Sequence, residues 1–345
     1  MPVSIREVAA AAGVSISTVS KVLNGGGYTD IAPATQERVR QVAQELGYHP
    51  RAVARGLVGK RMNSIGIVIC HNLPSVTSDP YVGPVLDGIL DRNKHYHQKT
   101  VIFAEDTWND AFSKIPLYCD GSCDGLIVFI PLVESPFLER LQKQEIPFLL
   151  VGDSREQEHI STVDIDNIAV ARLAVAHLLQ LGHRRIAMFC GNSAFLSSAQ
   201  RAEGYRQELA AWGVPYDPSL VWKGQYWEWA GAENAEKLLQ MPPSCRPTAI
   251  FCQDDRLAAG AYDRLRAAGL QIPRDISIIG LSDYAEAQER GITTVRFPLR
   301  QIGAEAVNLL LALIQQQLPR GTAKRLSGEL VVRNSTAPPL HKNNE

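Results

Sequence analysis

The sequence predicts an α/β protein: an N-terminal all-α helix-turn-helix domain followed by two doubly wound parallel-sheet lobes. Three observations predict it. Residues 1–48 carry helical periodicity and almost no strand pattern. From Ser64 onward, short β-branched runs alternate with helical segments. The charge also divides between the two parts. Within residues 1–61, Arg6, Lys21, Arg38, Arg40, Arg51, Arg55, Lys60 and Arg61 face only Glu7, Asp30, Glu37 and Glu45, whereas the whole chain of 345 residues has a net charge of -1. A basic head on an acidic body fits a polyanion-binding module joined to something else.

In the head, 5–12 sets Ile5, Val8, Ala9 and Ala12 on one helical face, with Ser4 as N-cap. Gly13 supplies a sharp turn, and 16–23 turns Val19, Val22 and Leu23 inward. A third helix over 34–46 aligns Val39, Val42, Ala43 and Leu46, and Gly47 ends it. Tyr48-His49-Pro50 breaks the pattern. The small-residue stretch 51–59 is too short to hold a helix without support, so 49–63 is read as a hinge.

The body, 64–340, gives strands at 65–69, 100–103, 125–130 and 148–151, with helices at 82–92 and 137–144. Further on come strands at 186–189, 249–252 and 277–279, among helices at 168–181, 199–211, 230–240 and 255–268. Such alternation implies right-handed βαβ units. Its length suits two lobes better than one sheet, with a ligand cleft at the carboxyl ends of the strands. The segment 335–345 is expected to fray, and 341–345 is set apart as a tail.

Several functions are excluded at this level. Arg6 and Glu7 interrupt the only apolar stretch of the first twelve residues, so no secretory leader is expected. No run approaches the roughly 20 apolar residues of a membrane helix. The six cysteines lack zinc-site spacing and fit free thiols in a reducing cytoplasm. No phosphate loop, nucleophile elbow or metal motif occurs, so no catalytic residue, cofactor or metal is expected. His183, at a helix end, reads as a structural complement to the helix dipole.

The informative string runs from Ile5 to Asn24. Two short helices meet at Gly13-Val14-Ser15, and the second opens with hydroxyl residues that can satisfy free N–H groups or bond phosphate. Its outward positions are Ile16, Ser17, Ser20 and Lys21. This string, with His49-Pro50-Arg51-Ala52-Val53-Ala54-Arg55-Gly56-Leu57, resembles the lactose/galactose repressor family. The resemblance spans essentially the whole chain through Asp124-Gly125-Leu126, Val163-Asp164-Ile165-Asp166-Asn167, Gln200-Arg201-Ala202-Glu203-Gly204-Tyr205 and Arg333-Asn334-Ser335. It implies a cytoplasmic, nucleoid-associated homodimer on double-stranded operator DNA. By position, Ile16, Ser17 and Lys21 would read bases, Ile16 against a thymine methyl and Lys21 at guanine. Ser15, Thr18, Ser20 and Asn24 would hold phosphates, and Ser4 and Ala54 also fall among the DNA-binding positions. Leu57 would wedge into the minor groove. One departure is the lengthened Gly25-Gly26-Gly27-Tyr28-Thr29-Asp30-Ile31 loop, after which Ala32 stands where the family places a serine cap.

The body is similar to periplasmic sugar-binding proteins. The resemblance assigns Arg201 to the effector and Tyr226 to an aromatic wall, with Trp227 and Trp229 nearby read as core residues. Asp254 falls at a polar ligand position, and Asp255 is expected to cap the next helix. Asp79, Tyr81 and Asp153 match cleft-lining positions. Ser282 replaces the family's sugar-binding aspartate, and Asp254 is a candidate for its displaced carboxylate. Three functions compete: an effector-controlled transcription regulator, commonly a repressor with a carbohydrate effector; a solute-binding protein without a regulatory role; and an enzyme. The helix-turn-helix favours the first.

Overall fold

The computed structural model describes residues 3–23, 31–48, 61–70 and 75–340. Asn24, Ala54, Leu57, most of the lengthened loop, nearly all of the hinge and the tail 341–345 therefore lie outside the described residues. The chain divides into two compact units, residues 1–64 with 120–124, and 65–119 with 125–345.

The first unit holds α1 (Ile5–Ala12), α2 (Ile16–Leu23) and α3 (Pro33–Glu45). Ser4 caps α1 as expected, its backbone N–H and its hydroxyl both donating to Glu7 Oε2 at 2.7 and 2.8 Å. Gly13 takes φ +62°, which lets α1 end and α2 begin almost at once. Val8, Ala9, Ala12, Val19, Val39 and Ala43 make a small apolar core. Leu46, expected inside, is 38% exposed. The chain turns at Gly47 with φ +63°, and Tyr48 packs against the core instead. Ala32 caps α3 without a side-chain bond, and Gln36 Nε2 donates to the Ile31 carbonyl at 2.9 Å. In the same unit, Asp124 accepts backbone N–H groups from Met62 and Ser64 at 2.6 and 3.3 Å.

The second unit has two lobes. The first is built on β1 (Ser64–Cys70), β2 (Lys99–Glu105), β3 (Gly125–Phe129), β4 (Phe148–Val151), β5 (Ser161–Ile165) and β11 (Ala323–Leu326), in the order β11-β5-β4-β3-β1-β2. The second has β6 (Ile186–Phe189), β7 (Val221–Trp222), β8 (Ala249–Cys252) and β9 (Ser277–Ile279), in the order β7-β6-β8-β9. The pairings β1–β3, β3–β4, β4–β5, β6–β7, β6–β8 and β8–β9 are all parallel. An antiparallel ribbon joins β10 (Thr294–Arg296) to β12 (Glu329–Val331). The chain leaves the first lobe after β5 and returns with the helix Leu299–Ile314, which packs on Val82–His95. It leaves again after β11. The expected strand–helix alternation thus stands to Ile279, and these crossings continue it.

Two expectations change. Ser335 to Pro339 do not fray. The Ser335 hydroxyl accepts from Thr293 N–H at 2.8 Å and donates to the Ile278 carbonyl at 2.6 Å, and Ala337 N–H donates to Ser277 Oγ at 3.1 Å. His183 is structural, but not as a charge at a helix end. It is buried, which lowers its pKa, and its ring contacts Thr248 Oγ1, Ser277 Oγ and the Ala337 carbonyl at 2.9, 3.1 and 2.9 Å. A neutral imidazole tying β9 to the C-terminal segment explains its place.

Candidate functional site

The head presents one polar face along α2. Ser15 precedes the helix, and its Oγ accepts the Thr18 N–H at 3.1 Å while lying 2.8 Å from both Ser17 Oγ and Thr18 Oγ1. These hydroxyls satisfy the helix start, as the sequence suggests. Ile16 is an apolar residue 45% exposed. Ser17 and Lys21 are exposed beside it, and Ser20 and Thr18 are half-buried. Ser4 has its hydroxyl engaged by Glu7.

Between the lobes of the second unit lies a cavity of 310 Å³. Its walls come from segments leaving the carboxyl ends of parallel strands, where such folds place ligands. Ile130, Gly152, Asn192 and Asp254 follow β3, β4, β6 and β8 respectively. Gly152 has φ +74°, and a Cβ there would meet Tyr81 Oη and Ile130 Cγ1 at 2.8 Å. Gly191 similarly gives the Tyr226 ring room to lie on the backbone.

Arg201 is the buried centre of the polar wall. Its Nε donates to Asn167 Oδ1 at 2.9 Å and its Nη1 to the Gln253 carbonyl at 2.6 Å. Its guanidinium lies 5.9 Å from the Tyr226 ring and 5.4 Å from that of Phe297. Asn167 in turn donates to Asp164 Oδ2 at 2.9 Å, so two motifs distant in sequence lock together across the lobes. Gln253 completes the frame by accepting from Gly191 N–H and the Ser198 hydroxyl, both at 2.9 Å.

Arg201, Tyr226, Asp254 and Tyr81 all line the cavity, as does Asp79. Asp254, not Asp255, caps the helix Asp255–Ala267, accepting Arg256 N–H at 2.8 Å. Asp255 is sealed inside, accepting the Thr294 hydroxyl at 2.7 Å and Tyr284 N–H at 2.9 Å. Asp153 and Ser282 are not among the lining residues. Asp153 is spent on the β4 turn, where Arg155 Nε and Nη2 reach it at 2.8 and 2.6 Å. Ser282 is buried at φ +118°, its N–H donating to the Val295 carbonyl at 2.8 Å. The neighbouring Asp283 pairs with Arg296 at 2.7 Å and with Arg333. Trp227 and Trp229 are 39% and 55% exposed, so neither is core; Trp227 borders the cavity. Sequence reasoning missed Arg256, Asp164, Trp108 and Phe195 as wall residues. Only Asp164 carried a signal, its place in the Val163–Asn167 string.

Burial pushes the carboxyls of Asp164 and Asp255 up to about 7, against the hydrogen bonds from Ile165 N–H and the Thr294 hydroxyl respectively. Each therefore binds its proton more tightly folded than unfolded. The stability these two carboxyls contribute is full below the ordinary carboxyl range and is lost as pH rises through about 7. Between about pH 6.5 and 8 burial keeps His177 and His183 mostly neutral. The decline in urea midpoint over that window should shrink in Asp164→Asn and in Asp255→Asn. An unchanged slope in both would remove these carboxyls as its source.

Among the described residues no group of His, Cys, Asp or Glu could hold a metal, and no helix is long and apolar enough to cross a membrane.

Comparison with known proteins places both units. Residues 4–51 match the model of bacterial regulatory proteins of the lacI family, and 175–336 match a periplasmic binding protein-like domain. The HTH-type transcriptional regulator CelR of Thermobifida fusca is 31% identical over 338 residues, covering 96% of this chain and 98% of its own. The solved lac repressor dimer bound to operator and the anti-inducer ONPF aligns with TM-score 0.83 at 26% identity, over 98% of this chain and all of that one. A CelR–cellobiose complex aligns with TM-score 0.74 at 28% identity, over 96% and 99% of the two chains. These relatives are DNA-binding transcription regulators, not enzymes, and the same helical head precedes the same pair of α/β lobes throughout. The chain belongs to the lacI family of bacterial regulatory proteins.

Proposed function

We propose that this regulator is a cytoplasmic, nucleoid-associated homodimeric repressor, with residues 1–48 reading operator DNA, 49–63 as hinge and 64–340 as the effector-binding and dimerisation core. The observation that carries this reading is the pairing, in one chain, of an exposed α2 face with a two-lobed cleft organised by a buried arginine. On α2, Ile16, Ser17 and Lys21 read base edges in the major groove, while Ser15, Thr18, Ser20 and Asn24 set register on phosphates. Ser4 and Ala54 join the DNA-binding set, and Leu57 enters the minor groove. A carbohydrate effector occupies the cleft against Arg201, Tyr226, Asp254 and Tyr81. It alters the relative disposition of the lobes and so the support given to the hinges. The cellobiose held by CelR and the operator held by the lac repressor dimer support these roles.

Gel shifts on DNA from upstream of the protein's own gene test the reading. Affinity should fall steeply with salt. Lys21→Ala should weaken specific binding by about 1–3 kcal/mol and relax discrimination at one position of each half-site. Absence of any binding at low salt would defeat the proposal.

A further inference from the structure

We infer that the interlobe cleft selects an uncharged ligand, a neutral saccharide or similar polyol with an apolar ring face, and rejects sugar phosphates and other anions. This deepens the effector-binding reading and rests on it. The described lining residues include two cations, Arg201 and Arg256, and both already bond within the protein. Arg201 is held by Asn167 and the Gln253 carbonyl. Arg256, from the second lobe, reaches Asp254 at 3.2 Å and crosses to Asp79 of the first lobe at 3.4 Å. It is only 14% exposed and lies 5.0 Å over the Trp227 ring. Asp79, Asp164 and Asp254 border the same space, and none of its described lining residues is a lysine or histidine.

A phosphate entering this cleft would lose its hydration and meet three acidic side chains. Of its two possible counter-charges, Arg256 already serves two of those acids, and the field of Arg201 acts on the third, Asp164. Burying a further anion where the aspartates outnumber the arginines is strongly unfavourable. A hydroxylated neutral ligand meets no such barrier, since its O–H groups can donate to carboxylates and accept from guanidinium N–H groups. Tyr81 Oη adds an independent pointer: it is buried, borders the cavity and has no hydrogen-bond partner among the described residues. An unmet buried hydroxyl costs stability until a ligand atom satisfies it. Trp108 and Phe129 on one wall, with Phe195, Tyr226 and Trp227 on the other, suit the C–H faces of a sugar ring. The volume of 310 Å³ sits at the small end of ligand pockets, about 300–1,000 Å³, so the ligand is compact.

The test uses the full chain, with thermal shifts followed by calorimetry on matched probes: glucose, ribose and cellobiose beside glucose 6-phosphate, ribose 5-phosphate and cellobiose 6-phosphate. At least one neutral sugar should raise the melting temperature, and its phosphorylated partner should bind about 100-fold more weakly or not at all. A phosphorylated probe that binds more tightly than its neutral partner would overturn the inference. So would a lack of response to every neutral probe at millimolar concentration. The Asp79→Asn/Asp254→Asn variant releases Arg256 and should gain about tenfold in affinity for a sugar phosphate; Asp79→Asn alone serves if the double variant does not fold. No gain in a folded variant would also count against it. Operator gel shifts run alongside separate the two readings. DNA binding without neutral-sugar binding defeats only this inference, while absence of DNA binding defeats the regulator reading.

Discussion

Gly260→Ala should destabilise the second unit by about 3 kcal/mol or more, read as a fall in urea midpoint at unchanged slope. The helices Glu228–Gln240 and Asp255–Ala267 pack with a glycine from each at their closest approach. A Cβ on Gly260 would overlap the Glu228 carbonyl, and one on Gly231 would overlap the Leu257 carbonyl. The first lobe repeats the device, with Gly88 against the Arg300 carbonyl and Gly303 against that of Val85. In every case the obstacle is backbone, which cannot swing aside like a side chain. The helices must separate, and Leu257, Ala258 and Ala261 would lose part of their packing. The helix that moves is also the one that Asp254 caps and that carries Arg256 into the cleft. Effector affinity should therefore fall together with stability. A midpoint equal to wild type would mean that these helices do not approach so closely in solution.

Why was this device invisible in the sequence? Hydrophobic periodicity records which face of a helix is buried, not how near the partner backbone comes, and an isolated glycine in a helical pattern only weakens the helix assignment. The same blindness hid Arg256. Nothing in the local string Asp254-Asp255-Arg256 says that its guanidinium will cross to Asp79, which lies far away in the chain. Local capping chemistry also left Asp254 and Asp255 interchangeable, and a shift of one residue decided which became cap and which became a buried acceptor. By contrast, 5–12, 186–189, 249–252 and 277–279 were legible because each carries a clean helical or apolar-run pattern bounded by polar or breaking residues. The helix Leu299–Ile314 escaped because it is buried around much of its circumference, so the apolar stretch Leu309-Leu310-Leu311-Ala312-Leu313-Ile314 shows no polar face to set the period. Arg201 and Tyr226 were legible only through family resemblance. Their site assembles from motifs in both lobes, and no local pattern encodes that meeting.

Arg201→Ala should abolish the effector response while leaving operator binding in the absence of effector largely intact. The loss of effector affinity should reach roughly 100-fold or more, or about 3 kcal/mol. Arg201 contributes more than a charge. Its Nε and Nη1 bonds hold Asn167 and the Gln253 carbonyl in place, and through Asn167 they reach Asp164 on the opposite wall. Removing the side chain leaves both acceptors buried without that donor and withdraws the cation from the Tyr226 and Phe297 rings. Arg201→Lys should recover little, because an ammonium cannot reproduce the two fixed directions of the guanidinium fork. Some stability will be lost as well, so circular dichroism must first show that the variant is folded at the assay temperature. The decisive measurement is an operator gel shift titrated with the neutral sugar that gives the largest thermal shift in the wild type. A folded variant that binds operator but ignores the sugar places Arg201 in the sensing cleft and not in the DNA-reading head. A variant that responds to the sugar as the wild type does would remove Arg201 from the site, and with it the arrangement of Asn167, Asp164 and Gln253 as the frame of the cleft.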